Sequence, residues 1–242
     1  MISFMPDRRR HRGPHPQDAE LFAPAHIVPL RQAVADLSWL LGRGYAPPSA
    51  VKIVGDRYEL TTRQRIAVQR TACTDAALSG RIERQVGVGR LAGREIAIDG
   101  YNLLVTIESA LAGGIILAGR DGTCRDLASM HGSYRSMAET RPALELIGQT
   151  LLDLGVLETQ WALDSPVSNS GRLRARMLEM ARQNEWHWTV ELLPNPDRAL
   201  MEQPNIVITS DSVILDGCTN WANLARHIVQ THVPQAWVVD LG

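Results

Sequence analysis

Three short apolar runs after residue 90 each lead into an aspartate, and helical stretches separate them. They are Glu95-Ile96-Ala97-Ile98 before Asp99, Trp161-Ala162-Leu163 before Asp164, and Ile206-Val207-Ile208-Thr209-Ser210 before Asp211. Thr189 to Leu193 and Ala236 to Val239 are further strand candidates. Between them, Leu173, Met177, Met180 and Ala181 fall on one face of a helix predicted over 170–183, and a second helix is predicted over 221–229. Strands alternating with helices imply a mainly parallel sheet covered by helices on both sides, an α/β three-layer domain.

The first part of the chain reads differently. Leu30, Val34, Leu37 and Leu41 recur at helical spacing from Pro29, and Gly42-Arg43-Gly44 should stop that helix. Ser49 is a candidate cap for a short helix through Val51, Ile53 and Val54, and Thr61 or Thr62 for a longer one reaching about Leu78. Strand signals are weak before residue 90. The expected organisation is a flexible basic arm over 1–17, a helical domain over 18–90 and an α/β domain over 91–242.

Charge divides at nearly the same place. Residues 1–98 carry 15 Lys/Arg against 9 Asp/Glu, and residues 99–242 carry 10 against 17, so a net charge of −1 hides a basic half and an acidic half. Such a division suits a protein that holds a polyanion with one part and cations with the other, or simply two domains with unequal solvated faces. Arg8-Arg9-Arg10-His11-Arg12 and the trio Arg63, Arg65 and Arg70 are the candidate polyanion contacts, with Ile66 and Cys73 on the inward face of the trio's helix. Three scattered cysteines, Cys73, Cys124 and Cys218, offer neither a disulfide framework nor paired ligand spacing. No apolar run approaches the ~20 residues that span a bilayer, and the N-terminus reverses the charge order of a secretory leader. The cytoplasm is the expected location.

Asp99, Asp164 and Asp211 sit at or just past the carboxyl ends of predicted strands, the edge along which open parallel sheets build ligand sites. Carboxylates gathered there repel one another and invite a proton or a cation. An all-oxygen set favours Mg²⁺ or Mn²⁺, which can activate water and stabilise charge on a phosphate. Aspartate is also common in turns after strands, and Asp240 after Trp237-Val238-Val239 shows how readily the pattern arises.

Asp99-Gly100-Tyr101-Asn102 followed by Leu103-Leu104 resembles the first-strand motif of PIN-like nucleases, and the run ending Thr209-Ser210-Asp211 resembles a later strand of that superfamily. Asp164-Ser165-Pro166 with Asn169-Ser170-Gly171-Arg172 fits a middle acidic position. The chain from about 20 to 220 also resembles an uncharacterised prokaryotic family numbered 434 among domains of unknown function. Leu40-Leu41-Gly42-Arg43-Gly44-Tyr45, Val54-Gly55-Asp56-Arg57-Tyr58, Arg63-Gln64-Arg65-Ile66-Ala67, Asp121-Gly122 and His131-Gly132-Ser133-Tyr134 carry that likeness.

The resemblance implies a metal-dependent phosphodiesterase, a ribonuclease, with Asp99, Asp164 and Asp211 as catalytic metal ligands. PIN-like sites have four acidic positions. Glu108 and Asp216 are the candidates for the fourth, since Asp121 and Asp126 fall in a Gly-rich insertion outside the pattern. Asn102 and Ser210 are candidate phosphate-positioning groups, or else turn and capping residues. Arg172 and Arg176, four apart on a helix, are candidate backbone-phosphate contacts, or else a solvated face. His131 to Arg135 is a candidate loop over the site.

Two other classes fit the same features: a non-catalytic RNA-binding or adaptor module, and a small-molecule phosphohydrolase. A dinucleotide loop at Gly87-Val88-Gly89-Arg90-Leu91-Ala92-Gly93 is rejected because it precedes a strand instead of following one. His227 and His232, five apart, lack zinc-ligand helical spacing, and no nucleophile elbow is present.

Overall fold

The computed structural model describes residues 11–128 and 134–242. Five helices come first: α1 (Asp18–Leu21), α2 (Pro24–Gly42), α3 (Pro47–Arg57), α4 (Thr62–Thr71) and α5 (Asp75–Arg84). Helix α2 buries Leu30, Val34 and Leu37 as its spacing requires, but it starts at Pro24 and carries Pro29 inside. Proline suits a first helical turn, and Pro24 fills that role. A capping box opens α4: the Thr61 side chain accepts from the Gln64 backbone N–H, and the Gln64 side chain accepts from the Thr61 backbone N–H. The expected continuation to Leu78 breaks at Ala72, whose backbone is extended, and Thr74 then caps α5 through the Ala77 N–H. Ser49 caps nothing, because α3 already begins at Pro47.

The remaining elements are β1 (Glu95–Asp99), α6 (Gly100–Leu111), β2 (Ile115–Ala118), β3 (Cys124–Asp126), α7 (Thr140–Asp153), β4 (Glu158–Asp164), α8 (Ser170–Gln183), β5 (Trp188–Leu193), α9 (Pro196–Met201), β6 (Ile206–Ile208), α10 (Ser212–Gly217), β7 (Trp221–Ala222), α11 (Leu224–His232) and β8 (Trp237–Asp240). The main sheet runs β5-β4-β1-β6-β7, and every pair in it is parallel. This is the expected α/β architecture behind a helical N-terminal part. Trp221 and Ala222 form a strand instead of starting a helix. Trp221 is fully buried with its indole N–H donating to the Arg81 carbonyl, and Asn223 caps α11 after it.

Strand β8 joins a second sheet, β3-β2-β8, instead of the main one. One face of that sheet completes the core of the helical part. Ile115, Leu117, Leu127, Val239 and Leu241 pack in one apolar cluster with Leu30, Val34, Leu37, Ala67 and Val68. A separate cluster surrounds α6, which is buried along nearly its whole length between α7, α11 and both sheets. The change of periodicity near residue 90 is therefore a boundary in chain order, and one apolar core runs across it.

Ion pairs cross the same boundary. Arg12 pairs with Glu108, Arg31 with Asp240, Arg70 with Asp126, and Arg81 with both Asp121 and Asp216. Arg12 contradicts the expectation of a flexible arm up to residue 17: its side chain is buried on Glu108 and lies over the Tyr134 ring. Arg8, Arg9 and Arg10 lie outside the described residues.

Removing residues 1–89 should strip the cover from Ile115, Leu117, Val239 and Leu241 and leave Asp121 without Arg81. Burying about a dozen apolar side chains is worth many kcal/mol in total. A fragment of 90–242 should therefore aggregate or show no cooperative thermal transition, while the full chain melts cooperatively. A soluble fragment with a sharp melt would show that the C-terminal part is independent.

Candidate functional site

Strands β5, β4, β1 and β6 are neighbours and parallel, so their carboxyl ends share one edge of the sheet. Asp164 is the last residue of β4, and Asp99 the last of β1. Asp211 follows β6 as the N-cap of α10, and Asp197 follows β5 in the first turn of α9. The chain passes from β1 outward to β4 and β5, then returns to place β6 on the other side of β1. The switch between β1 and β6 is where open parallel sheets form ligand crevices.

The turn after β1 is tightly specified. A Cβ at residue 100 would stand 2.5 Å from Leu163 Cδ2 and 2.8 Å from the Ala162 carbonyl, so only glycine lets α6 start this close to β4. The Thr209 hydroxyl donates to Asp99 Oδ2 at 2.8 Å and accepts from the Asp211 backbone N–H at 2.9 Å, linking the two acids. Asn102 Oδ1 accepts from both the backbone N–H and the hydroxyl of Ser210, at 2.9 and 2.8 Å. These bonds pin the end of β6 to the first turn of α6 across the switch point. Asn102 and Ser210 thus hold each other, which is a structural role.

Electrostatics couples four carboxylates. Burial pushes Asp99 up to about 7, against the Thr209 hydrogen bond, and the charges of Asp211 and Asp197 add to the rise. Burial also raises Asp164, helped by Asp197, and raises Asp197, helped by Asp211. Asp197 was missed in the sequence. Its signal was Asn195-Pro196-Asp197 four residues beyond a strand, with two prolines masking the strand-end pattern that identified the other three.

Glu108 and Asp216, the expected fourth acids, are used elsewhere. Glu108 is fully buried along α6, where it pairs with Arg12 and accepts from the Tyr134 and Thr140 hydroxyls at 2.5 Å each. Both Asp216 oxygens are taken by Arg81, at 2.7 and 2.9 Å. The arginine trio is also spent internally: Arg63 on Asp18, Arg65 on Asp56 and the Leu60 carbonyl, and Arg70 on the carbonyls of Asp126 and Ala128. Their reading as a polyanion surface is corrected, and Ile66 is over a third exposed, not inward.

Arg176 donates to the Ser136 hydroxyl at 2.5 Å, while Arg172 is exposed. His131 lies outside the described residues, but the segment just after it does flank this edge. Tyr134 N–H donates to the Ser168 carbonyl and Asn169 donates to the Tyr134 carbonyl, in the loop that follows Asp164. Asp240 sits in the other sheet, exposed beside Arg31.

The donor chemistry at the edge suits a hard divalent cation: four carboxylates without a thiolate or imidazole, and one of them held near neutrality by burial and like charge. The cage is not pre-assembled, since no group of three or more His, Cys, Asp or Glu among the described residues is arranged to hold an ion. Repulsion favours that separation. Each acid takes a local partner where one is offered, and Asp211 bonds the N–H groups of Val213 and Ile214.

The Asp99 shift fixes a pH dependence. Its carboxyl ionises near 3.8 when unfolded and near 7 when folded, so between those values the unfolded chain releases a proton that the native protein retains. Cation-free stability should fall as pH rises from about 4 to 7, by on the order of a few kcal/mol. Asp99→Asn should remove most of that slope and raise the melting temperature at pH 7.5. An unchanged slope in the variant, measured by denaturant titration, would contradict the burial of this charge.

A family profile described as Protein of unknown function (DUF434) matches residues 29–84, in the helical part. An uncharacterized protein of Methanocaldococcus jannaschii, MJ0935, is 27% identical over 186 residues, covering 77% of this chain and 88% of the relative. No solved structure matches. The profile described as Domain of unknown function (DUF5616) matches residues 88–227, more than half of the chain, and the chain belongs to that family.

Proposed function

We propose that this protein is a divalent-cation-dependent phosphodiesterase acting on RNA, built on a PIN-like arrangement of the C-terminal part. One observation carries the reading: Asp99, Asp164, Asp197 and Asp211 follow four adjacent parallel strands at a topological switch point, with Asp197 in electrostatic reach of the other three. The Asp-Gly-Tyr-Asn resemblance supports it, and Gly100 has a steric reason to be glycine there. These four acids would hold Mg²⁺ or Mn²⁺, which when bound supplies an activated water and stabilises charge on the phosphate. Thr209 orients Asp99, while the Asn102–Ser210 pair fixes the spacing between the β1 and β6 ends. Arg172, exposed on the helix after Asp164, is placed to meet a strand's phosphates.

A non-catalytic RNA-binding module on the same fold is the second reading, favoured by the absence of a pre-assembled ion cage among the described residues. The two readings part on cleavage.

Asp99→Asn and Asp197→Asn should each reduce Mn²⁺-dependent cleavage of single-stranded RNA by about a hundredfold or more, while the protein stays folded. Asp99→Asn combined with Asp211→Asn should lose little more, since groups acting as a unit are non-additive. Asp240→Asn, at an exposed acid of the other sheet, should retain activity. RNA binding without cleavage in the parent protein would select the second reading, and full activity in Asp197→Asn would remove it from the site.

A further inference from the structure

Most guanidinium groups among the described residues are spent. Of the arginines described, those at 12, 31, 57, 63, 65, 70, 81, 120, 125, 141 and 198 pair with carboxylates, and others bond carbonyls or hydroxyls or stack on a ring. Among the described residues the side chains of Arg90, Arg94, Arg172 and Arg182 make no ion pair or hydrogen bond, and the first two border one cavity of about 610 Å³. That cavity lies at the amino ends of β1 and β6, the opposite edge of the sheet from the four aspartates, with Glu95, Asn205 and Ile206 in its wall.

The rest of the lining has a matching chemistry. Asn205 and Asn220 are half-buried there, and their carboxamides make no hydrogen bond among the described residues. Val86, Leu157 and Ile206 supply an apolar wall, and Leu157 is 54% exposed although it borders a concave surface. Two unspent cations favour a phosphate, which guanidinium groups bind with paired N–H donors. Two unspent carboxamides offer both a donor and an acceptor to a polar ring edge. The apolar wall suits the face of such a ring. Glu95 sets a limit on charge: it leaves a net single positive charge, enough for a monoester and poor for a triphosphate, and it can accept from sugar hydroxyls. The volume lies in the range of small-molecule sites.

We propose that this cavity binds a nucleoside monophosphate, with Arg90 and Arg94 on the phosphate and Asn205 and Asn220 on the base. The site is separate from the acidic edge and needs no cation.

Isothermal titration of the full-length protein in EDTA, with AMP, GMP, CMP and UMP in turn, tests this. At least one should bind with a Kd below about 1 mM, as expected for a ligand of this size. Its parent nucleoside and inorganic phosphate should each bind about tenfold more weakly or not at all. Arg90→Gln with Arg94→Gln, both at exposed positions, should weaken the nucleotide at least tenfold with the melting temperature unchanged. Leu157→Ala should weaken it separately from any charge effect, and Asp99→Asn should leave it unchanged. Four nucleotides without binding, affinity intact in the arginine double variant, or inorganic phosphate binding as tightly as the nucleotide would each overturn the assignment. Because cleavage is not measured and cations are absent, failure here leaves the acidic-edge reading standing, and the reverse also holds.

Discussion

The carboxylate of Asp99 is buried where its charge is least stable, at the centre of a parallel sheet and beside two other acids. Few arrangements retain such a group without a use for it, because burial and like charge both act against ionisation. Around it the chain is tightly constrained. Gly100 lets α6 approach β4, Thr209 reaches over from the next strand, and Asn102 ties that strand's end back to α6. The helix that begins at this turn is buried on nearly every side and is enclosed by both sheets and by α7 and α11. The placement of the acidic edge and the packing of the core are thus set by the same element.

A second set of charges holds the two parts of the chain together. The excess of arginine before residue 98 and of acid after it is largely met inside the molecule. Arg81 is buried between Asp121 and Asp216, Arg125 lies on Asp121 as well, and these partners hold Asp121 well below the usual carboxylate range even though burial opposes it. Arg12 pairs in the same way with the buried Glu108. Breaking one such buried pair strands its partner at a cost of about 3–5 kcal/mol. The pairing also explains the preference for arginine over lysine at these positions, where a planar fork can reach two acceptors at once.

Much of this was legible in the sequence, and the reason is local. Apolar runs ending in aspartate marked β1, β4 and β6, and the face of α8 was read correctly because Leu173, Met177, Met180 and Ala181 bury at helical spacing. The Thr61 cap was visible because capping chemistry is short-range. What failed was long-range. The two-residue strand β7 exists only because β6 and the Gln85–Val86 segment lie beside it. Strands β2 and β3 sat in a stretch read as a Gly-rich insertion, and the membership of β8 in a second sheet depends on β2. Arginines that look like a basic surface in the sequence turn out to be paired once the fold brings acids to them. Asp197 escaped because α9 opens on a proline after a short irregular link, so it is an edge residue by topology and not by spacing.

The account rests on whether the four strand-end aspartates share one cation. A crystal of the full-length protein grown at pH 7.5 or above and soaked in Mn²⁺, with diffraction recorded at the manganese absorption edge, addresses that directly. The anomalous map should show a peak at the carboxyl edge of β1, with oxygens of Asp99 and at least two of Asp164, Asp197 and Asp211 at about 2.1–2.3 Å. No peak there, or one bound only at other acids such as Asp216 or Asp240, would contradict the account.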